Sequence, residues 1–242
     1  MLLSVIIPVY NEEKTISKIV DLVKYIPLKK EIVIVNDGSK DDTAGSLRDI
    51  LSKHIPSEYC ADISMINQKN GGKGSALKTG IASAKGDIII FQDADLEYDP
   101  KDYPAMIEPI LKGRVKATMG SRLLFKKQNI WAHSGSLIVY MRNHLGVSII
   151  TWFTNLLYWK KATDYEGCYK AFDSKLLKSI PIETNGFDFD NELVCKIFRR
   201  GENIEEVPIH YYPRSYGEGK KIKFKDGIKI LKTILIWRFK SF

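Results

Sequence analysis

The stretch Gly86-Asp-Ile-Ile-Ile-Phe-Gln-Asp-Ala-Asp-Leu-Glu-Tyr-Asp99 decides the fold. Its apolar run, residues 88–91, is typical of a strand buried on both faces, as in parallel sheets covered by helices. The run stops abruptly at three carboxylates, Asp93, Asp95 and Glu97. Ligands of open α/β sheets bind at the carboxyl ends of the strands, so we expect these acids to face a substrate.

The spacing of Asp93 and Asp95 predicts a cation site. With a bend at Ala94, the two carboxylates converge on one hard divalent cation, which prefers oxygen ligands and commonly bridges phosphates. The tripeptide alone is a weak signal, because many surface turns contain it. The buried strand before it strengthens the functional interpretation.

Strand and helix patterns alternate through the first half of the chain. The sequence predicts strands at 2–9, 31–35, 63–66, 88–91 and 116–120, with amphipathic helices between them. This alternation predicts an α/β fold with a mostly parallel, Rossmann-like sheet flanked by helices. Every predicted strand ends in polar, turn-forming residues, so one edge of the sheet is the functional edge.

The pattern changes from Leu123 onwards. A basic segment leads into the apolar stretch 136–159, which Arg142 interrupts. The fifteen residues 145–159 that follow the interruption are too few to span a bilayer, but they suffice for a buried or an interfacial helix, and both remain open. The tail, residues 226–242, is amphipathic and basic.

Composition restricts the class of protein. The chain has 242 residues, 44% of them hydrophobic, and a formal charge of +8, which favours phosphate-rich ligands or an anionic membrane surface. Its three cysteines are far apart and form no Cys-x-x-Cys pair, which argues against a disulfide framework and a zinc site. With no signal-peptide pattern at the start and no run of eighteen apolar residues, we expect a cytoplasmic location.

Three further strand ends carry chemistry suited to a nucleotide. Pro8, Tyr10 and Glu12 close the first strand with an aromatic ring for a base and a carboxylate for a ribose or base edge. Asp37 offers an acceptor at the next strand end, and Lys73 lies among glycines that allow close approach to a diphosphate. Such residues also make ordinary turns, but four such turns on one edge favour a nucleotide site.

Two common nucleotide motifs are missing: no Gly-x-Gly-x-x-Gly follows the first strand, and no Walker lysine motif is present.

Four motifs together resemble a known family: Val5-Ile-Ile-Pro-Val-Tyr-Asn-Glu-Glu13, Val35-Asn-Asp-Gly-Ser39, Asn70-Gly-Gly-Lys-Gly-Ser-Ala-Leu-Lys-Thr-Gly80 and Gln92-Asp-Ala-Asp-Leu-Glu-Tyr98. They are similar to the nucleotide-sugar half of family-2 glycosyltransferases with the GT-A fold. Within that family the chain most resembles the dolichyl-phosphate mannose and polyprenyl-phosphate glucose synthases. Counterparts in the second half are 120–122, 163–172, 186–192, 206–209, 214–222 and 226–227.

The chain departs from those synthases in two ways. Some of them carry a second Asp where Asn36 stands, so Asp37 must make the base contact here. Many carry C-terminal transmembrane helices, of which this sequence has no counterpart.

The resemblance implies one GT-A domain over residues 1–242, with a nucleotide-sugar half at 1–122 and an acceptor half at 123–242 that carries amphipathic, interfacial helices. It also implies an inverting transfer of a hexose from a UDP- or GDP-linked donor to dolichyl or undecaprenyl phosphate. The enzyme would work as a peripheral protein on the cytoplasmic face of a membrane, and whether an integral-membrane partner joins it stays open.

The resemblance also implies residue roles. A divalent cation, Mg²⁺ or Mn²⁺, would be held by Asp95 with Asp93, although Asp93 facing the ribose or uracil is an alternative. The expected catalytic residues are Asp95, Arg122, Arg214 and Lys220. Those expected to bind the nucleotide-sugar are Pro8, Tyr10, Glu12, Asp37, Lys73, Asp93 and Ala94. Those expected at the acceptor phosphate or sugar are Arg122, Arg142, Asp164, Lys170, Glu192, Arg214, Lys220 and Lys221.

Plainer interpretations stay open for some of these residues. Lys220 and Lys221 also suit an exposed basic loop, and Asp164 and Glu192 also suit caps or supports for the basic residues.

Two other functions compete. A glycosyltransferase of the same fold acting on a sugar hydroxyl of a glycan or glycolipid needs a general base, for which Asp190 or Glu192 is available. A non-catalytic nucleotide-binding membrane adaptor is disfavoured by the intact carboxylate pair. Nucleic acid is not expected as a partner, because the aromatic residues lie in apolar runs without a stacking motif.

Overall fold

The structure is a computed structural model that describes residues 1–125, 137–214 and 224–242, with side chains described from 1–125, 145–214 and 225–242. The predicted acceptor residues Lys220 and Lys221, and the side chain of Arg142, lie outside the described residues.

Strands and helices alternate as the sequence predicts. The strands are Leu3–Val9 (β1), Lys30–Asn36 (β2), Cys60–Asn67 (β3), Ile88–Phe91 (β4), Ala117–Ser121 (β5), Lys170–Asp173 (β6) and Ile204–Pro208 (β7). The helices are Ile16–Lys24 (α1), Thr43–Ser52 (α2), Lys73–Ser83 (α3), Tyr103–Leu111 (α4), Leu137–Tyr158 (α5), Ser174–Ser179 (α6), Phe189–Arg199 (α7) and Phe224–Phe239 (α8). A 3₁₀ turn, Pro100–Asp102, leads into α4.

The strands form one sheet in the order β3-β2-β1-β4-β6-β5-β7. All neighbours are parallel except β6, which runs antiparallel to β4 and β5. This confirms the α/β fold with a mostly parallel sheet. The division into halves at residue 122 stays a prediction; β6 and β7, from beyond it, join the same sheet.

The reversed strand β6 is absent from the sequence-based expectation. It has only four residues and begins with the buried charge Lys170, so it lacks the apolar run of a buried strand. Because Ile90 pairs with Ala171 and Met119 with Lys170, the beginning of β6 lies beside the ends of β4 and β5. The loop before β6 therefore reaches the functional edge.

Alternate residues of the central strands fill two cores. Val5 and Ile7 pack on the α1 and α4 side, whereas Ile6 packs on the α3 and α7 side. Complete burial of each such side chain stabilises the fold by about 1.5–3 kcal/mol. A Cβ on Gly80 of α3 would collide with Ile6, so this glycine allows the helix to approach β1 closely.

A third core joins the helices of the second half. Ile150 and Tyr158 of α5 pack with Ile234 and Trp237 of α8, and all four are buried. The Lys196 ammonium of α7 lies 3.5 Å from the centre of the Trp237 ring. The tail is thus part of the packed fold. No helix in the described part of the chain combines the length and hydropathy needed to cross a bilayer.

Gln92 ties the functional edge to the core. Its side chain is fully buried, and its Oε1 accepts hydrogen bonds from the hydroxyls of Tyr103 at 2.8 Å and Tyr169 at 2.6 Å. The glutamine thereby links the end of β4 to α4 and to the residue that precedes β6.

Replacing Gln92 with leucine is expected to lower the free energy of unfolding by about 2–4 kcal/mol, because two buried hydroxyls then lack their acceptor. Chemical denaturation measures this loss. Tyr103→Phe alone removes one hydroxyl, and a loss of about 1 kcal/mol is expected.

The triple variant Gln92→Leu, Tyr103→Phe, Tyr169→Phe removes both hydroxyls together with their acceptor, so part of the lost stability should return. A triple variant less stable than Gln92→Leu would contradict this account.

Candidate active site

The functional edge is built where β1, β2 and β4 end and β6 begins. Parallel strands bring the motifs that follow β1, β2 and β4 to one edge, and the antiparallel pairing of β6 adds the segment just before it. The site therefore combines residues from both halves of the sequence.

Asp37 organises the glycine loop that follows β3. It is 3% exposed, and its carboxylate accepts hydrogen bonds from Gln68 Nε2 at 2.7 Å and from the backbone N–H groups of Gly71 and Gly72 at 2.8 Å each. The expected contact of Asp37 with a base stays a prediction. What the geometry adds is a role in holding the loop that carries Lys73.

The two glycines beside Lys73 lie in close contact with the segment that precedes α7. Gly72 has a φ of 95°, and a Cβ there would lie 2.5 Å from the Asn185 carbonyl oxygen. A Cβ on Gly74 would lie 2.8 Å from the Asn185 carbonyl carbon. These glycines admit the segment before α7, a reason that differs from the diphosphate contact expected from sequence.

Lys73 begins α3 and reaches across to the end of β4. Its Nζ lies 2.6 Å from Asp93 Oδ1 and 3.0 Å from Cys168 Sγ. Burial alone would raise the pKa of Asp93, but the Lys73 ammonium holds this pKa below its ordinary value. Burial likewise opposes the charge on Lys73, and the Asp93 carboxylate outweighs it and raises the lysine pKa. Both groups are therefore charged.

Asp95 is held in a different electrostatic environment. Burial, followed by the nearby charges of Asp93 and Glu97, raises its pKa to about 7, although Arg214 acts in the opposite direction. The next residue, Leu96, has a φ of 64°, which is uncommon for a side chain with a Cβ. This left-handed turn directs the chain so that Asp95 Oδ1 accepts the Glu97 N–H at 3.1 Å.

Three carboxylates, which we call the acid cluster, converge on Arg214. Arg214 lies 3.1 and 3.2 Å from the two carboxylate oxygens of Glu12 and 3.1 Å from Asp95 Oδ2. Its backbone N–H donates to Glu97 at 2.8 Å. The acid cluster, Glu12, Asp95 and Glu97, thus surrounds a position that suits positive charge.

Arg122 is fixed on the far side of the site. Its guanidinium forms a two-point ion pair with Asp164 at 2.7 and 2.8 Å, and it lies 5.1 Å from the centre of the Tyr211 ring. Asp164 is buried, and Arg122 overcomes the effect of burial and lowers the pKa of this carboxyl. Of the two roles open for Asp164, the structure matches the positioning of a basic residue.

Two expected acceptor residues lie beneath the site. Lys170 is 1% exposed, donates to the Tyr165 and Gly167 carbonyls, and lies 3.2 Å from Asp190 Oδ1. Its ammonium supports the loop from inside, and its expected contact with an acceptor stays a prediction.

The same holds for Glu192. It is fully buried, lies 2.6 Å from Lys196 Nζ, and accepts the backbone N–H groups of Glu183 and Thr184 at 2.9 and 2.8 Å. The alternative that it serves as a cap is the one that matches.

The remaining expected donor residues lie at the strand ends. Pro8 pairs with Val35 in the sheet, and Tyr10 is half-buried just after β1. Ala94 is 3% exposed and packs in the core, so only its backbone is placed to meet a ligand.

Four side chains of the site were assigned no specific function from the sequence. Glu97 was visible in the acid run but received no role, and Cys168 was noted only as an unpaired thiol. Glu166 and Asn191, which form a hydrogen bond of 2.7 Å, gave no signal because their meeting depends on β6.

A divalent cation fits at Asp95 when phosphates complete its coordination. Across the described ranges, no group of three His, Cys, Asp or Glu side chains is arranged to enclose a metal by itself. Mg²⁺ and similar cations commonly bind to one or two carboxylates, with substrate phosphates and waters supplying the other oxygens. Asp95, whose ionisation is opposed by Asp93 and Glu97, gains most from such a charge.

The solved structures include a close match to this fold. Glucosyl-3-phosphoglycerate synthase from Mycobacterium tuberculosis, solved with Mn²⁺, uridine diphosphate and phosphoglyceric acid, superposes with a TM-score of 0.71 at 19% identity. The match covers 100% of this chain and 80% of that one. It confirms the GT-A fold expected from the resemblance.

Curated relatives match along nearly the whole chain. A low-salt glycan biosynthesis hexosyltransferase of Haloferax volcanii is 27% identical over 97% of this chain, which spans 53% of that protein. The UDP-N-acetylglucosamine–dolichyl-phosphate N-acetylglucosaminyltransferase of Methanococcus voltae is 27% identical over 97% of this chain and 95% of its own length. The family model described as glycosyl transferase family 2 matches residues 4–180. This chain belongs to that family, and it is a glycosyltransferase.

Proposed function

We propose that the protein transfers a hexose, with inversion, from a UDP- or GDP-linked donor to a polyprenyl phosphate on the cytoplasmic face of a membrane. The observation that carries this proposal is the arrangement of three cations along one sheet edge. Lys73 lies at Asp93, Arg214 at the acid cluster, and Arg122 at Asp164. Donor diphosphate and acceptor phosphate are both anionic, and this edge offers positive charge for each.

Lys73, Arg122 and a divalent metal ion have distinct tasks. Lys73, held beside Asp93, contacts the donor diphosphate as a point charge. Arg122, whose direction Asp164 fixes, aligns the acceptor phosphate with the anomeric carbon, and such alignment is itself a large contribution to rate. A divalent cation at Asp95 and Asp93 would supply charge stabilisation for the departing nucleoside diphosphate.

The acceptor is proposed to be a phosphate because the hydroxyl alternative lacks a free base. A polyprenyl phosphate is already anionic near neutral pH, so its oxygen attacks without losing a proton. A sugar hydroxyl needs a general base. Glu192 is buried against Lys196, and Asp190 lies 3.2 Å from Lys170, so both sequence-based candidates are engaged.

Transfer from radiolabelled UDP and GDP sugars to dolichyl or undecaprenyl phosphate in detergent tests the proposal. We expect label in the lipid phase that depends on Mn²⁺ or Mg²⁺ and falls at least about 100-fold in Asp95→Ala, because several kcal/mol of charge stabilisation is lost. Asp49→Ala, which removes an exposed carboxylate of α2, is the matched control and should keep full activity.

Donor hydrolysis without lipid labelling would contradict the proposed acceptor. Transfer to an acceptor alcohol, with a pH profile that requires one deprotonated base, would favour the hydroxyl alternative.

The raised pKa of Asp95 predicts that its negative charge destabilises the fold when no cation is bound. With a chelator present at pH 8, Asp95→Asn should raise the free energy of unfolding by about 2 kcal/mol, because it removes an unfavourable charge. This value already allows for a weakened contact with Arg214. The native pKa of about 7 exceeds that of an unfolded aspartate, so wild-type stability falls as pH rises to about 7. The gain should therefore vanish at low pH.

Denaturation series at several pH values measure this effect. Mn²⁺ with a nucleoside diphosphate should stabilise the wild type more than Asp95→Asn. A variant that is less stable than the wild type at pH 8 would contradict the electrostatic account.

Access to a lipid phosphate is proposed to come from an apolar stripe on α5. Leu145, Ile149, Trp152 and Leu156 recur at helical spacing, Trp159 follows the end of the helix, and each is at least 45% exposed. On the packed neighbour α8, Ile228, Leu235 and Phe239 are also exposed, together with Lys225 and Lys232. Apolar side chains beside lysines suit an anionic membrane surface.

Variants of the α5 stripe test membrane binding more clearly than deletion of the tail, residues 226–242. That deletion would also remove α8 residues from the core. The double variant Trp152→Gln, Leu156→Gln should bind anionic vesicles at least about tenfold more weakly in co-sedimentation, because two apolar anchors are lost. Its thermal stability should be unchanged, since both side chains are more than half exposed.

The matched control is Ile55→Gln, which changes an even more exposed apolar residue before β3 and should not alter vesicle binding. Unchanged binding by the α5 double variant would refute this role for the stripe.

A further inference from the structure

The 164–168 loop connects the two ends of the proposed reaction. At its start, Asp164 holds Arg122 at 2.7 and 2.8 Å, and at its end Cys168 Sγ lies 3.0 Å from Lys73 Nζ. If Lys73 meets the donor diphosphate and Arg122 the acceptor phosphate, the sugar that passes between them lies over this loop. Glu166 is the middle residue of the loop. This step rests on the proposed function.

Glu166 presents an oriented acceptor. The side-chain amide of Asn191 donates from Nδ2 to Glu166 Oε1 at 2.7 Å. A carboxylate accepts only from the amide nitrogen, so this contact fixes which way the amide points. Glu166 Oε2 accepts no hydrogen bond from any residue that the structure describes.

A second observation points to a ligand at the same place. Asn191 is 3% exposed, and its Oδ1 is buried without a hydrogen-bond partner among the described residues. A buried acceptor left unpaired is costly, so a donor from outside the protein would stabilise it. Both open acceptors belong to the Glu166–Asn191 pair.

The cations nearby are already committed to other carboxylates. Lys170 is paired with Asp190, Arg122 with Asp164, and Lys73 with Asp93. Within the described ranges, Glu166 forms no ion pair. A negatively charged ligand group at this place would therefore meet further negative charge and no uncommitted cation.

We infer that Glu166, oriented by Asn191, contacts the transferred sugar and selects a neutral, hydroxylated sugar against a uronate. Hydroxyl or amide hydrogens of a hexose or N-acetylhexosamine match the open acceptors. The carboxylate of a uronate adds a like charge beside Glu166 and Asp190, and like-charge juxtaposition suppresses the wrong ligand. Glu166 is thus a specificity-determining residue, and Asn191 is its positioning residue.

Paired donors that differ only at the sixth carbon test this inference. UDP-glucose and UDP-glucuronate, or GDP-mannose and GDP-mannuronate, are compared by calorimetric Kd and by kcat/KM at pH 8. The alkaline pH is chosen because burial raises the pKa of Glu166, while Asn191 and Lys170 oppose that shift. The wild type should prefer the neutral donor, and Glu166→Gln should narrow the ratio by about tenfold or more.

The free nucleoside diphosphate is the internal control, because it lacks the sugar. Its Kd should be the same in the wild type and in Glu166→Gln. Glu166→Asp keeps the charge and should keep the preference against the uronate. Glu58→Gln changes an exposed glutamate before β3, away from the functional edge, and should leave both Kd values unchanged.

The inference would be overturned by a wild type that prefers the uronate, or by an active Glu166→Gln with an unchanged ratio of the two donors. An equal loss of affinity for the sugar donor and the free nucleotide would also overturn it, since that is a structural effect. If the binding ratio shifts as expected but no polyprenyl phosphate is labelled, the sugar subsite is supported and the proposed acceptor alone fails.

Discussion

Carboxylates that a buried strand carries to a poorly hydrated edge need positive charge beside them, and the site follows from this constraint. The chain provides a lysine for Asp93 and arginines for Asp95 and Asp164. Each partner comes from a distant part of the sequence. Charge compensation therefore ties the glycine loop and the segment after β7 to the end of β4, and it ties the segment after β5 to the loop before β6. The same three cations face the anionic groups of the proposed substrates.

Asp93 and Asp95 illustrate how one spacing yields two different environments. Lys73 compensates Asp93 and lowers its pKa, whereas burial, Asp93 and Glu97 leave Asp95 with a raised pKa despite Arg214. The first aspartate forms a settled ion pair. The negative charge of the second is not fully compensated, and a cation bound with the donor would stabilise it. This asymmetry favours Asp95 over Asp93 as the main contact of a cation.

The parallel part of the fold could be predicted from sequence, because strands such as 88–91 are continuous apolar runs and the helices between them keep a helical period. The reversed strand β6 could not, because four residues with a buried lysine match no pattern. The buried surroundings of Lys170 and Glu192 could not be predicted for a related reason. A sequence shows that a side chain is charged, but whether it faces a cleft or supports a loop depends on which elements surround it.

The 164–168 loop, finally, leaves little freedom for most of its members. Asp164 is bound to Arg122, Tyr165 is buried with its hydroxyl on Asn155, a Cβ on Gly167 would lie 2.7 Å from the Gly120 carbonyl oxygen, and the Cys168 N–H donates to Tyr98. Glu166 is partly buried; its backbone N–H donates to Asp164 at 3.2 Å, and its side chain accepts one hydrogen bond, from Asn191. If the proposed sugar contact holds, a change of the Glu166 side chain would alter donor preference while the hydrogen bonds that hold the loop backbone stay in place.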